Sequence, residues 1–171
     1  MKTVLIALTL AAANASAAGL PSTLDPREYC AIGAEIGYPT RPYNDSTGGC
    51  ASEMVAIGAE SDGGGLANNL AFYSTSQIHA GQPKKLERVS LILNVNNAAE
   101  TARARNELIR AATAASKRLL GAVPAGFVAA IKEGKTATWK NAQWRSDVIY
   151  SSWPNGRGHD ISVRFTPAGA R

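Results

Sequence analysis

An alternating strand that runs directly into a long amphipathic helix constrains the fold of this chain more than any other feature of its sequence. Between residues 89 and 95 every second side chain is apolar, as in a strand with one buried face. Between residues 98 and 120 the apolar side chains recur at helical spacing instead. This stripe consists of Leu108, Ala112, Ala115 and Leu119. Because alanine permits close approach, we expect the helix to pack tightly against a sheet that contains the preceding strand.

The two ends of this helix carry residues that favour helix boundaries. Asn97 is a favoured N-cap, and Glu100, three residues later, completes the pattern of a capping box. Gly121 suits the left-handed conformation that ends many helices. The sequence therefore predicts a helix over residues 98–120.

Weaker patterns on both sides of this unit predict the rest of an α+β fold. Apolar or alternating runs indicate three strands before the long helix and three after it. They cover residues 50–58, 66–78, 86–96, 136–141, 144–151 and 159–165. Asn155-Gly156 is a strong hairpin signal, and residues 124–133 indicate a second, short helix. We therefore expect an antiparallel sheet of about five or six strands, packed against one long and one short helix.

Residues 1–17 have the pattern of a cleavable secretory signal peptide. Lys2 supplies the positive charge, and residues 3–13 are apolar but shorter than the roughly 20 residues that span a bilayer. Ala15-Ser16-Ala17 then offers small residues where a signal peptidase cuts. No later run is apolar over the length of a membrane span. We therefore expect residues 18–171 to form a single domain that is periplasmic or secreted.

Cys30 and Cys50 are the two cysteines of the chain, and we expect them to form a disulfide. The segment between them is rich in glycine and proline, which indicates a loop that needs such a tether. A redox or metal pair is the alternative, but the spacing is not C-x-x-C and the chain has only two histidines. The sequence thus predicts no metal site and no cofactor.

The hairpin turn near residue 155 gathers residue types that suit recognition. Trp153, Arg157 and His159 lie within a few positions of Tyr150, which places two aromatic rings, a cation and a titratable group around one turn. Loops held by rigid strands often carry function. We therefore assign these four residues as candidate binding residues. The alternative is an ordinary solvated turn whose rings belong to the core.

The sequence predicts no catalytic residues. Asp160 adjoins His159, but neighbouring residues of a strand point to opposite faces, so the carboxylate is badly placed to orient the imidazole. The sequence also lacks a G-x-S-x-G nucleophile motif.

Charge is divided between the two halves of the chain, whose net charge is +5. Acidic residues outnumber basic ones between residues 18 and 80, and basic residues dominate afterwards. The basic half suits an anionic surface, but ordinary solvated faces of a folded domain give the same pattern, and we favour that interpretation. The sequence shows no catalytic constellation but does show an edge hairpin, a divided charge and a tethered loop, so we expect a non-catalytic exported protein, of inhibitor or immunity type, that binds a protein or an anionic envelope polymer. A hydrolase of envelope material and a glycan-binding module are the alternatives. We expect no nucleic-acid partner, and the oligomeric state stays open.

Overall fold

A computed structural model describes residues 25–59, 65–77 and 84–170, among which seven antiparallel strands form one sheet beside three helices. This architecture confirms the predicted α+β class. The helices are α1 (Pro26–Glu35), α2 (Thr101–Leu120) and α3 (Phe127–Glu133), with a 3₁₀ turn at Ala98–Glu100. The strands are β1 (Gly49–Ala51), β2 (Val55–Ile57), β3 (Asn68–Ser76), β4 (Leu86–Val95), β5 (Ala137–Lys140), β6 (Trp144–Ser152) and β7 (His159–Pro167). The predicted signal peptide, residues 1–17, lies outside the described residues.

Two meanders meet at the centre of the sheet. Across the sheet the strands follow the order β1, β3, β4, β7, β6, β5, and β2 also pairs with β3. The first meander ends with β4 and the second with β7, and these two strands are central neighbours, with Leu91 opposite Val163. α2 and α3 form the connection between the meanders.

The strand predicted over residues 50–58 lies at an edge of the sheet and is divided into β1 and β2, which pair with different parts of β3. Ser52 lies at the break. Its N–H donates to the Phe72 carbonyl, and its hydroxyl accepts from the Phe72 N–H. A side-chain oxygen therefore replaces a backbone carbonyl of the ladder, just before the exposed Met54.

All three helices pack on the same face of the sheet, and the core lies between. The predicted stripe of α2 is fully buried: Leu108, Ala112, Ala115 and Leu119. The fully buried residues that face it from the central strands include Leu91, Leu93, Val163 and Phe165. This arrangement confirms the predicted packing of the long helix on the strand that precedes it.

The start of α2 differs from the capping box that the sequence predicts. Asn97 does cap the 3₁₀ turn, because its side-chain oxygen accepts from the Ala99 N–H at 3.0 Å. Its own N–H, however, donates to the side chain of Asn68 at 2.7 Å rather than to Glu100. The Glu100 side chain lies against Gly58, whose φ of +80° suits glycine. Asn68 of β3 thus accepts the hydrogen bond from the Asn97 N–H that Glu100 would accept in a capping box.

α1 corrects the prediction of a loop between the cysteines. The sequence indicated a loop after Cys30, but a helix begins at Pro26 and continues to Glu35, because Tyr29 and Ile32 are buried against the sheet. The Asp25 side chain caps it by accepting from the Arg27 N–H. The predicted disulfide is present and joins α1 to β1.

α3 begins later than predicted. Gly126 adopts a left-handed conformation (φ +79°), and the helix starts at the following residue rather than at Pro124. None of the described helices is long and apolar enough to cross a membrane.

Candidate functional site

The β6–β7 hairpin places the four residues that the sequence singled out, but it gives them different environments. The hairpin pairs regularly as far as Ser152 and His159. Beyond that pair, the Trp153 N–H donates to the Gly158 carbonyl at 3.0 Å. The Trp153 ring lies directly on Gly158, where an added Cβ would come within 2.5 Å of it. Trp153 is therefore half-buried and closes the loop instead of presenting a free ring.

Arg157 lies in the exposed tip of this loop. Gly156 adopts a positive φ of 68°, and the Asn155 side chain accepts from the Arg157 N–H at 3.0 Å. These local contacts hold the turn. The Arg157 side chain makes no hydrogen bond or ion pair with any residue in the described parts of the chain.

Tyr150 and His159 do meet, on the helix-covered face of the sheet. Their ring centroids are 4.7 Å apart, with the planes inclined by 35°. Arg105 of α2 joins them: it donates to the Lys132 carbonyl at 2.9 Å, and its guanidinium lies beside the Tyr150 ring above Gly134. Sequence reasoning missed Arg105, because nothing local shows that α2 passes over this end of the hairpin.

Burial lowers the pKa of His159, and the positive charge of Arg105 lowers it further, while Asp160 opposes the shift. The imidazole is therefore neutral at neutral pH. Its Nε2 atom and the Nε atom of Arg105 are both buried without a hydrogen-bond partner among the described residues, and so is Oδ1 of Asp160. Tyr150, His159 and Arg105 therefore form a cluster that contains buried polar atoms without partners in the described parts of the chain. Oδ1 of Asp160 makes no hydrogen bond to Nε2 of His159, so this contact does not orient the imidazole.

A larger surface lies on the opposite face of the sheet, on which none of the described helices packs. Side chains alternate along each strand, so residues that pair across the strands form rows on this face. One row is largely apolar and consists of Ala71, Ile92, Ser162 and Ile149. The next row is polar and consists of Tyr73, Ser90, Arg164, Asp147 and Thr138. We call the surface formed by these two rows the open face, since no described helix packs on it. Most of its side chains cover one another: the buried residues are Ala71, Ser90, Asp147 and Ser162, and the half-buried ones are Tyr73, Ile92, Ile149 and Arg164.

Arg164 lies at the centre of the open face with its charge unmatched. Asp147 is its cross-strand partner, but the two carboxylate oxygens of Asp147 already accept from Thr138 Oγ1 at 2.7 Å and from Arg145 Nε at 2.8 Å. Arg164 is half-buried and makes no hydrogen bond or ion pair with any described residue. None of the described residues thus supplies an anion to this guanidinium.

The margin of the open face is also basic. Arg145 pairs across the strands with Lys140 beyond the polar row, and Arg88 lies two residues before Ser90 on β4. Arg88 forms an ion pair with Glu87 at 3.7 Å, and Arg145 forms one with Asp147 at 2.8 Å. Lys140 and Arg164 have no ion-pair partner among the described residues. The alternation of polar and apolar residues in β4 and β7 is the sequence signal that would have found this surface.

Comparison with protein-family models, with curated protein sequences and with solved structures finds no match for this chain.

Proposed function

We propose that this chain is an exported, non-catalytic protein that binds an acidic partner protein on the open face of its sheet. Arg164 is the observation that carries the proposal. The residue is half-buried on the strand, and its guanidinium has no ion-pair partner among the described residues. A carboxylate delivered by a partner would form a charge-assisted hydrogen bond with this cation, which no described residue already neutralises.

The composition of the open face favours a protein over an anionic polymer. Ile92 and Ile149 lie in the row beside Arg164, and they need apolar atoms opposite them to gain from burial. Protein interfaces combine apolar residues with arginine in this way. A polymer of charged sugars or phosphates would satisfy the cations but would leave the apolar row without a counterpart.

An inhibitor or immunity-type role suits such a surface. The two rows cross rigid, hydrogen-bonded strands, so little conformational entropy is lost when a partner docks. The charge of Arg164, which no described residue neutralises, would favour encounter with an acidic protein. The disulfide and the predicted signal peptide support export to an oxidising compartment.

Site-specific photo-crosslinking tests the location of this interface. A benzophenone amino acid replaces Ile149 on the open face, and in a control chain it replaces Ala102, which is exposed on α2. We expect a crosslink in the producing cells to one acidic protein from position 149 and none from position 102. Equal crosslinking from both positions would place the interface elsewhere and contradict the proposal.

Binding of that crosslinked protein then tests the role of Arg164. Arg164→Gln should weaken binding by about 2 kcal/mol or more, roughly 30-fold in Kd. Lys117→Gln removes the same charge from the exposed side of α2 and should leave the Kd nearly unchanged. If Arg164→Gln has no effect on this protein but abolishes binding of polygalacturonate, the partner is an anionic polymer and the proposal is wrong.

A further inference from the structure

A groove with a volume of about 260 Å³ opens on the helix-covered side of the β5–β6 hairpin, at the end where the hairpin turns. One wall is the connection between α2 and α3 at Pro124. The hairpin supplies the remaining residues that matter here: Trp139, Lys140, Asn141, Trp144 and Ser146. We call this site the two-tryptophan groove. It lies on the side of the sheet opposite the open face, and Lys140, at the end of the hairpin, is the one residue that it shares with the margin of that face.

Contacts outside the groove hold both indole rings in place. The Trp139 Nε1–H donates to the Ala125 carbonyl at 3.0 Å, and the ring stands edge-on to Phe127 with centroids 5.4 Å apart. Trp144 is 4% exposed, and the centroid of its ring lies 5.9 Å from that of the Tyr29 ring. The two rings therefore form fixed apolar walls, which lose little entropy when a ligand binds.

Ser146 is the unexplained polar group of the groove. The residue is 1% exposed, and its Oγ atom is buried without a hydrogen-bond partner among the described residues. A buried hydroxyl is normally paired, and an exception in a ligand-sized groove points to an absent hydrogen-bond partner. The hydroxyl can donate or accept, so it can serve a ligand oxygen.

The remaining polar groups of the groove favour an anion. Lys140 is exposed and makes no ion pair with any of the described residues. Asn141 uses its side-chain oxygen to accept from the N–H groups of Gln143 and Trp144, at 2.9 Å and 2.7 Å. Its side-chain NH₂ group is left as a donor. A cation and an amide donor thus line the same groove.

We infer that the two-tryptophan groove binds a small molecule consisting of one six-membered ring that carries a carboxylate. The ring lies against the indole walls, Ser146 forms a hydrogen bond with it, and Lys140 neutralises the carboxylate. Drug-sized ligands usually occupy pockets of about 300–1,000 Å³. A groove of about 260 Å³ therefore suits one ring rather than a chain of rings. Aromatic acids and uronic acids share this chemistry.

Indole resonances in a ¹H–¹⁵N spectrum give a direct test, because the chain has three tryptophans and only two line the groove. Titration with benzoate and, separately, with glucuronate should shift the Trp139 and Trp144 indole signals. The signal of Trp153, on the β6–β7 turn, is the internal reference and should stay in place. A response to one probe alone identifies the source of the carboxylate. Unshifted groove signals with both probes, or equal shifts at all three tryptophans, would overturn the inference.

Two variants then test the assigned contacts, with the Kd of the responding probe as the readout. Ser146→Ala should raise the Kd roughly fivefold, the usual loss for one hydrogen bond, and it leaves no backbone group unpaired. Lys140→Gln should weaken binding of the carboxylate but not of its uncharged analogue, benzyl alcohol or glucose. Lys117→Gln is the matched control for lost charge. If Lys140→Gln leaves carboxylate binding unchanged, or if Ser146→Ala binds as the original chain does, the assignment is wrong.

Discussion

At the scale of single residues, the side chain of Asn68 connects β3 to the backbone between β4 and α2. It is fully buried at the start of β3. Its side-chain oxygen accepts from the N–H groups of Asn96 and Asn97, both at 2.7 Å, and its side-chain nitrogen donates to the Asn97 carbonyl at 3.1 Å. One amide thus satisfies the backbone at the junction between β4 and α2.

Replacing Asn68 should therefore be costly. Asn68→Ala leaves the N–H groups of Asn96 and Asn97 without their partner, and we expect a loss of about 3 kcal/mol in the free energy of unfolding. Asn69→Ala is the matched control. It removes one hydrogen bond to the Asn94 side chain on the half-buried open side of the sheet, and it should cost about 1 kcal/mol. Urea denaturation measures both values, and similar losses would show that the buried junction does not depend on Asn68.

At the scale of elements, the packing of α2 depends on small residues at the contact with β3 and β4. Ala104, Ala111, Ala112 and Ala115 are all fully buried, so the helix backbone lies close to the sheet. Interiors are packed too densely to accept an added side chain without a shift of the helix or its neighbours.

Enlarging one of these alanines tests that closeness. Ala112→Leu should lower the free energy of unfolding by about 1–3 kcal/mol through overpacking. Ala102→Leu makes the same chemical change at an exposed position of the same helix, and the effect should stay within about 0.5 kcal/mol. Chemical denaturation of the two variants beside the original chain gives the comparison. An unchanged denaturant midpoint for Ala112→Leu would mean that this face of α2 is not closely packed against the sheet.

At the scale of the whole molecule, α1 closes one end of the core and is attached to the rest by three kinds of contact. Tyr29 and Ile32 are buried among the core residues. Arg110 of α2 donates to the Ile36 carbonyl at the end of α1, at 3.2 Å. The disulfide between Cys30 and Cys50 adds a covalent link to the edge of the sheet.

Reduction of this disulfide should destabilise the domain without unfolding it. The link closes a loop over a sequence separation of 20 residues, for which we expect about 3 kcal/mol of stabilisation. The free energy of unfolding should fall by that amount when a phosphine reductant is present, while the helical circular dichroism signal persists because Tyr29 and Ile32 stay buried. The double variant Cys30→Ser/Cys50→Ser is the control and should not respond to reductant. An equal response of both proteins would assign the effect to the reductant.

Local periodicity was sufficient to predict most elements and their buried sides. The alternation in β4 and the stripe of α2 each involve residues only a few positions apart. Within a strand or a helix, the spacing of the side chains that share one face is fixed, so these patterns can be recognised in the sequence. The cysteine count was likewise sufficient for the disulfide. The continuation of α1 to Glu35 could not be read in this way, because a glycine-bearing helix is held there by packing against the sheet rather than by helix propensity.

Long-range pairing decided where the candidate sites lie. Nothing local places β7 beside β4, yet that pairing puts Arg164 between Ser90 and Asp147 and brings Ile92 level with Ile149 across the open face. The same holds for Arg105 at the Tyr150–His159 cluster and for the groove between the β5–β6 hairpin and the α2–α3 connection. Such contacts depend on which of several possible strand orders buries the most apolar surface. The strand order is a property of the assembled sheet, and it cannot be predicted from the hydrophobic periodicity of a single segment.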